Sequence, residues 1–181
     1  VHAIARSADG WQALDADARV IAEAPVLVLA NAHDALRLAA LPATWVERVR
    51  GQVTWFAARH AALLPRMPIA SGGYVLALPE HGGLLIGATS QPGDEDNSVR
   101  DTDHAINLER ARELLGCDAA REGAVLHGRV GWRVVTRDRL PIVGMAPNLN
   151  APQPARRDAP RLLPRRDGLF LHTALGSRGL T

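Results

Sequence analysis

The sequence has no lysine, a single cysteine and few aromatic residues, which make up 4% of its 181 positions. Because Cys117 has no second cysteine to pair with, an internal disulfide is excluded, and we expect a reducing, cytoplasmic environment. No apolar run approaches the ~18 residues of a membrane-spanning helix, so we expect no membrane partner. All 21 basic residues are arginine, yet the net charge is only +2. This balance does not favour a dedicated nucleic-acid-binding domain.

Patterns for metal and nucleophilic chemistry are missing as well. The seven histidines are scattered, and none forms a cluster with cysteine at zinc-ligand spacing. The Gly-x-Ser-x-Gly elbow of serine hydrolases is absent, since Ser177 lies in Gly-Ser-Arg-Gly. We therefore expect no metal and no strong protein nucleophile. An enzyme whose cofactor performs the difficult step needs neither.

Both ends of the chain have the patterns of sheet structure. Residues 1–24 predict a small β-meander, and residues 25–30 are a continuous apolar run, typical of a strand buried on both faces of an α/β sheet. A similar buried strand is predicted at residues 169–173. It follows a Pro/Arg-rich segment, residues 147–167, which predicts a long irregular loop.

The middle of the chain has a different pattern. Residues 74–88 predict a hairpin, and residues 131–136 predict a further strand. A helix is expected to begin at a cap formed by Thr102 or Asp103 and to end before Gly116. The predicted fold is α/β plus α+β, in which end pieces of a doubly wound domain flank an antiparallel-sheet domain. The expected domain boundaries are 1–44, 45–140 and 141–181.

The glycine-containing segment Ala174-Leu175-Gly176-Ser177-Arg178-Gly179-Leu180 follows the last predicted strand. Glycines allow the backbone to approach a planar ligand closely, and a helix beginning there would offer free N–H groups to an anion. Such a terminus suits the negative charge of a reduced flavin. Many strand–helix turns contain two glycines, so a purely structural turn is the alternative.

Arg133 lies in the middle of an otherwise apolar predicted strand. A buried charge without a partner is costly, so this arginine needs an anion. The partner is either an internal Asp or Glu, or a substrate carboxylate held by two parallel hydrogen bonds.

Four segments together resemble a known family. Residues 50–53, the hairpin ending in Gly87-Ala88-Thr89, residues 131–144 and residues 168–181 occur in the order of the D-amino-acid/glycine oxidase family of FAD-dependent oxidoreductases. The runs 136–144 and 174–180 most closely resemble the branch that completes 5-methylaminomethyl-2-thiouridine at the wobble position of tRNA.

This resemblance implies an activity, a cofactor and partners. The family binds FAD and transfers a hydride from the carbon beside an amine nitrogen to the flavin. In the tRNA branch, the substrate is a carboxymethylaminomethyl uridine of tRNA, and glyoxylate is released. The resemblance also implies a longer polypeptide that carries a methyltransferase domain. We therefore expect this chain to be a fragment of that polypeptide.

The resemblance also implies site residues. Arg133 would hold the substrate carboxylate, and Tyr74 would lie in the substrate pocket unless it is simply a packing residue of the sheet. The residues that would contact FAD are Asn31, Ala32, Leu175, Gly176, Ser177, Arg178, Gly179, Leu180 and Thr181.

Two departures weaken the expected flavin site of this chain. The Gly-x-Gly-x-x-Gly segment that binds the FAD pyrophosphate is absent from the sequence, and in the family it would precede Val1. The strand end that reads Ala-Thr-Gly in the family reads Ala-Asn-Ala here, at residues 30–32. We therefore expect this chain by itself to bind FAD weakly or not at all.

The sequence leaves three alternatives to a tRNA-modifying oxidoreductase open. One is an FAD-dependent oxidase of free glycine, sarcosine or D-amino acids. Another is a non-catalytic RNA-binding module, for which the support is five arginines that alternate with prolines and with Asp158 and Asp167; they are Arg156, Arg157, Arg161, Arg165 and Arg166. The last is a structural or interaction domain.

Overall fold

The computed structural model describes residues 1–120, 123–152, 154 and 159–177. The chain forms two compact units. The first contains residues 1–47 and 133–181, and the second contains residues 48–132. The assignment of FAD-binding and substrate-binding roles to separate domains stays a prediction.

The strands and α-helices, in chain order, are β1 (Ala3–Arg6), β2 (Trp11–Leu14), β3 (Val20–Ala24), β4 (Leu27–Leu29), α1 (Asp34–Leu38), β5 (Val46–Ala57), β6 (Ile69–Ala70), β7 (Tyr74–Leu78), β8 (Gly83–Gly87), β9 (Gln91–Pro92), α2 (Asp101–Leu115), β10 (His127–Thr136), β11 (Ile142–Pro147) and β12 (Arg165–Thr173). Short 3-10 turns lie at Ala43–Trp45, Ala61–Leu63, Pro79–His81 and Pro160–Leu162.

The first unit contains two three-stranded sheets. The strands β1, β2 and β3 form the antiparallel meander that the sequence predicts. The other sheet has the order β11-β12-β4, in which β12 and β4 run parallel with Leu171 opposite Leu29. The parallel pair and the antiparallel meander confirm the predicted mixture of fold types.

Buried and exposed side chains along β12 show which face of its sheet carries the core of this unit. Leu169 and Leu171 are buried against α1 together with Leu36, whereas His172 is exposed. Full burial of one leucine contributes about 1.5–3 kcal/mol to stability. The meander is attached to the same core through Trp11, whose indole N–H donates a 2.9 Å hydrogen bond to the carbonyl oxygen of Asp167.

Two predictions for this unit are wrong. The run 25–30 is not buried on both faces: Leu29 is 5% exposed, but Val28 on the opposite face is 54% exposed. The reason is that α1 and the meander pack on one face of this strand. The predicted irregular loop also ends early, because residues 165–168 extend β12, which pairs with β11 at Arg165 and Pro147.

The second unit contains a six-stranded sheet with α2 on one face, and its pairs β5–β8, β5–β9, β6–β7 and β7–β8 are antiparallel. The strand order is β10-β5-β8-β7-β6, and β9 pairs with β5. The predicted hairpin is confirmed as β7 and β8, with Tyr74 opposite Gly87. Phe56, Ile86 and Ala111 are central members of the core between sheet and helix.

The predicted cap of α2 is wrong. The helix begins at Asp101 after Arg100, and no side chain caps it through a hydrogen bond. Asp103 instead lies inside the unit, paired with an arginine, so its carboxylate is not available to the helix N–H groups. The predicted end is correct, since Gly116 has a φ of 71° and its amide donates to the carbonyl oxygen of Arg112.

Candidate functional site

The glycine-containing turn after β12 is joined to residues 133–136 of β10, the part of this strand that belongs to the first unit. The amide of Gly176 donates a hydrogen bond of 3.0 Å to the carbonyl oxygen of Val134. Gly176 has a φ of +59°, and a Cβ built on it would lie 3.3 Å from Cγ1 of Val135. A left-handed backbone and a close neighbour both favour glycine here. The turn at residues 174–177, hereafter the bend, therefore lies directly against this part of the strand.

The alternation of β10 determines where Arg133 projects. Neighbouring side chains of a strand point to opposite faces, and Val134 is buried. Arg133, which is half-buried, therefore leaves the strand on the same side as Val135. This is the side on which the bend approaches Val135. The structure thus brings the predicted carboxylate-binding residue and the predicted cofactor turn to one part of the first unit.

Asn31 and Ala32 lie at the carboxyl end of β4, in the same unit. The hydroxyl of Thr173, which ends β12, donates a 2.7 Å hydrogen bond to the carbonyl oxygen of Ala32. Because β4 and β12 are parallel, their carboxyl ends share one edge of the sheet, and open α/β sheets bind ligands at this edge. The side-chain amide of Asn31 is directed toward α1, where it donates to the Asp34 carboxylate at 3.3 Å.

Two alanines at this edge have left-handed backbone. Ala32 and Ala174 both have a φ of 57°. This conformation costs a residue other than glycine about 1–2 kcal/mol and persists where the surrounding structure holds it, often at ligand sites.

The other predicted cofactor residues are only partly described. Within the bend, Leu175 is half-buried and Ser177 is exposed. Arg178, Gly179, Leu180 and Thr181 lie outside the described residues. Of the predicted cofactor residues 175–181, the structure therefore describes residues 175–177.

Tyr74 belongs to the second unit. It is half-buried, and its phenol lies over Gly87 on the neighbouring strand: a Cβ on Gly87 would lie 2.7 Å from the Tyr74 hydroxyl and 2.8 Å from Cγ1 of Val53. On β5, the adjacent Thr54 faces α2, because its hydroxyl accepts a hydrogen bond from the Asn107 side chain. Tyr74 and Val53 therefore lie on the face that points away from α2, which we call the distal face.

Sequence reasoning missed the buried ionic centre of the second unit. Arg50 is fully buried, and its guanidinium donates to the Asp103 carboxylate at 2.6 Å. It also donates to the carbonyl oxygens of Asp96 and Ser98, each at 2.6 Å, and to the Gln91 side chain at 3.0 Å. The sequence around Arg50 was a weaker signal than that around Arg133, because its same-face neighbours Arg48 and Gln52 are themselves polar.

The acidic loop after β9 is neutralised from within. The Arg100 guanidinium donates to both carboxylate oxygens of Asp94, at 2.6 and 3.0 Å, and to Asp96 at 2.7 Å. Arg100 lowers the pKa of Asp94, and hydrogen bonds from Ser98, followed by Arg100, lower the pKa of Asp96. The carboxylates of Asp94 and Asp96 therefore stay ionised at neutral pH, and the Arg100 guanidinium compensates their charge.

Neither a cluster of metal ligands nor a membrane-spanning helix occurs in the described part of the chain. There, no group of three or more His, Cys, Asp or Glu side chains is arranged to hold a metal ion. No helix among those residues is both long and apolar enough to span a bilayer.

Comparison with known proteins identifies relatives across the full sequence. The family model described as "DAO: FAD dependent oxidoreductase" matches residues 1–181. The tRNA 5-methylaminomethyl-2-thiouridine biosynthesis bifunctional protein MnmC of Methylibium petroleiphilum is 49% identical over 195 residues, which cover 100% of this chain and 30% of the relative. The protein of the same name from Burkholderia multivorans is 45% identical over 186 residues, covering 99% of this chain and 28% of the relative. The chain thus spans about 30% of the length of these relatives.

Solved structures share the fold. Glycine oxidase from Geobacillus kaustophilus superposes with a TM-score of 0.70 at 25% identity, over 99% of this chain and 43% of that one. Iminodiacetate oxidase from Chelativorans sp. BNC1 superposes with a TM-score of 0.65 at 20% identity, over 98% of this chain and 44% of that one.

Proposed function

This chain belongs to the family of FAD-dependent oxidoreductases, and from that premise we propose that it is part of an enzyme that removes the carboxymethyl group from carboxymethylaminomethyl(thio)uridine in tRNA. The family implies an oxidoreductase that uses FAD. The tRNA substrate is supported by the identities of 49% and 45% to two proteins named for biosynthesis of the tRNA nucleoside 5-methylaminomethyl-2-thiouridine. The word "bifunctional" in those names supports a second activity, here a methyltransferase, on a longer polypeptide. We place that polypeptide in the cytoplasm.

The residues of this chain fit part of a flavin site. Gly176 leaves the space that a Cβ would fill against Val135, and the left-handed turns at Ala32 and Ala174 lie at the carboxyl ends of two parallel strands. Open α/β sheets bind ligands at such an edge, and a glycine lets a planar ring approach the backbone closely. In this proposal, Asn31, Ala32 and residues 175–181 contact the cofactor. The pyrophosphate needs a Gly-x-Gly-x-x-Gly segment that this sequence does not contain.

Chemically, the reaction is oxidation of a secondary amine followed by hydrolysis. Bound FAD supplies the acceptor for a hydride from the carboxymethyl carbon beside the nitrogen, and water then splits the resulting imine into glyoxylate and the aminomethyl nucleoside. In this scheme the Arg133 guanidinium orients the substrate by donating two parallel hydrogen bonds to its carboxylate. Tyr74 lines the substrate pocket.

The observation that carries this proposal is the hydrogen bond from Gly176 to Val134, because it ties the proposed cofactor turn to the residue next to Arg133. The test uses the full-length polypeptide that contains this chain, with tRNA that carries the carboxymethylaminomethyl group. We expect glyoxylate release from this tRNA, a rise in KM for Arg133→Leu and a smaller rise for Arg133→Lys, which keeps the charge but not the planar pair of donors.

Free glycine, sarcosine and D-amino acids are the competing substrates. The fold likeness to glycine oxidase, at a TM-score of 0.70 and 25% identity, favours this second function. Glyoxylate release from glycine or sarcosine and release of the matching 2-oxo acid from D-amino acids, each measured in parallel with the tRNA, separate the two. Turnover of the amino acids without turnover of the tRNA would refute the tRNA assignment.

A further inference from the structure

The distal face of the second unit has an aromatic pair at one end. The rings of Trp55 on β5 and His127 on β10 are stacked, with centroids 5.6 Å apart and planes inclined by 17°. Trp55 is half-buried and His127 is exposed. Residues of β5 alternate, so Trp55 projects to the same face as Val53 and therefore to the face that holds Tyr74.

The alternation of β10 is consistent with this placement. A Cβ on Gly128 would lie 3.0 Å from the His104 ring of α2, and the Trp132 indole donates a 2.8 Å hydrogen bond to the carbonyl oxygen of Asp94. These even-numbered residues point toward the helix side of the sheet. The odd-numbered residues, among them His127 and Arg129, therefore point to the distal face.

Arg129 and His127 are the two polar groups of β10 that this face presents beside Trp55. Arg129 is exposed, and among the described residues no carboxylate forms an ion pair with it. The ring nitrogens of His127 likewise make no hydrogen bond within the described part of the chain. The flat His127 ring is thus positioned by stacking on Trp55, and a cation lies two residues away along the same strand.

We propose that Trp55, His127 and Arg129 form a platform that binds a nucleotide of a single-stranded RNA loop. A base stacks on the exposed side of His127 and extends the Trp55–His127 stack, while Arg129 contacts a backbone phosphate. Exposed aromatic residues on a sheet are a common way to bind unpaired RNA bases, and stacking tolerates different bases. An arginine beside the stack adds the charge that phosphate requires.

This inference rests on the proposed function, for which it names the contact that distinguishes a tRNA loop from a free amino acid. A tRNA loop offers unpaired bases and backbone phosphates, neither of which a free glycine or sarcosine has. The platform therefore acts in RNA binding and not in the chemical step.

The test measures binding of a fluorescently labelled anticodon stem-loop RNA to the full-length polypeptide, without turnover. His127→Ala should weaken binding about 5- to 150-fold, the range for the loss of one stacked base. His127→Phe keeps a planar ring and should stay within about 3-fold of the parent protein. Arg129→Ser should lower the slope of log affinity against log salt by about one.

Matched controls come from the segment between β5 and β6. His60→Ala and Arg66→Ser remove an exposed histidine and an exposed arginine, and both should leave RNA affinity and its salt slope unchanged. The proposal is overturned if His127→Phe binds as weakly as His127→Ala, or if Arg129→Ser keeps the parent salt slope. It is also overturned if the substitutions change self-association instead of RNA binding.

Failure of the platform and failure of the proposed function give different results. Glyoxylate release from tRNA with RNA affinity unaffected by both platform substitutions would refute the platform alone. RNA binding that depends on His127 and Arg129, but without glyoxylate release, would refute the oxidation of tRNA and leave the platform in place.

Discussion

The amide of Gly176 lies 3.0 Å from the carbonyl oxygen of Val134 and donates a hydrogen bond to it. This bond connects the turn after the last strand to a strand that begins 49 residues earlier, at His127. Because Arg133 and Val135 share one side of that strand, a ligand on the bend would face a half-buried arginine.

Gly176→Ala should disturb the bend. Its φ of +59° and the 3.3 Å approach to Val135 predict a loss of about 1 kcal/mol in stability and a loss of flavin from the full-length polypeptide. Urea unfolding and the absorbance ratio at flavin and protein wavelengths measure the two effects. Gly82→Ala is the matched control, since Gly82 has a φ of +57° with nothing within 4 Å of its Cβ position. Equal flavin loss in both variants would contradict a cofactor role for the bend.

The chain alone should not retain FAD. It has the bend but no Gly-x-Gly-x-x-Gly segment, so the pyrophosphate lacks its helix N-terminus. We expect colourless protein after gel filtration with added FAD, and yellow protein from the full-length polypeptide. Stoichiometric flavin on the 181-residue chain would show that this expectation is wrong.

Gly87→Ala should displace Tyr74. The added Cβ would lie 2.7 Å from the Tyr74 hydroxyl, and overpacking of this kind costs about 1–3 kcal/mol. Tyr74→Phe removes the closest atom, so the double variant should recover part of the loss. A double-mutant cycle by chemical denaturation measures the coupling. If the stability losses of the two single variants simply add up in the double variant, the phenol is not held over Gly87.

Asp103→Asn should be strongly destabilising. It leaves the Arg50 charge buried without its 2.6 Å carboxylate partner, and breaking a buried pair in this way costs about 3–5 kcal/mol. Asp17→Asn makes the same chemical change at an exposed pair with Arg19 and should have little effect, since surface pairs contribute at most about 1 kcal/mol. Urea midpoints compare the two. Similar losses of stability in the two variants would show that burial does not determine how much an ion pair contributes.

Acid should loosen the loop at residues 93–98. The pKa values of Asp94 and Asp96 lie below their ordinary value of 3.8 in the folded protein, so their contribution to stability is complete above that pH and declines as the pH falls below it. The indole N–H signal of Trp132, which donates to the carbonyl oxygen of Asp94, reports the change by NMR.

A substitution tests the cause of this pH dependence. Arg100→Gln removes the main reason for the lowered pKa of Asp94, so the transition of the Trp132 signal should move up toward pH 3.8. An unchanged midpoint in Arg100→Gln would exclude the arginine as the cause.

Local patterns in the sequence determined much of this protein. Two short apolar runs on either side of Pro79-Glu80-His81-Gly82-Gly83 predict the hairpin of β7 and β8. The spacing of Leu108, Ala111 and Leu115 predicts the buried face of α2. The left-handed end of that helix follows from Gly116. These features depend on residues near one another in the chain, and the order of the segments was enough to predict the oxidoreductase family.

Tertiary structure alone decided which charged and aromatic side chains meet. Arg50 pairs with Asp103 and Trp55 stacks on His127, although 53 and 72 positions respectively separate the partners in the sequence. It also decided that Val28 is exposed on one face of its strand. The physical reason is that such contacts depend on strand pairing and on which element covers each face, and local periodicity carries neither.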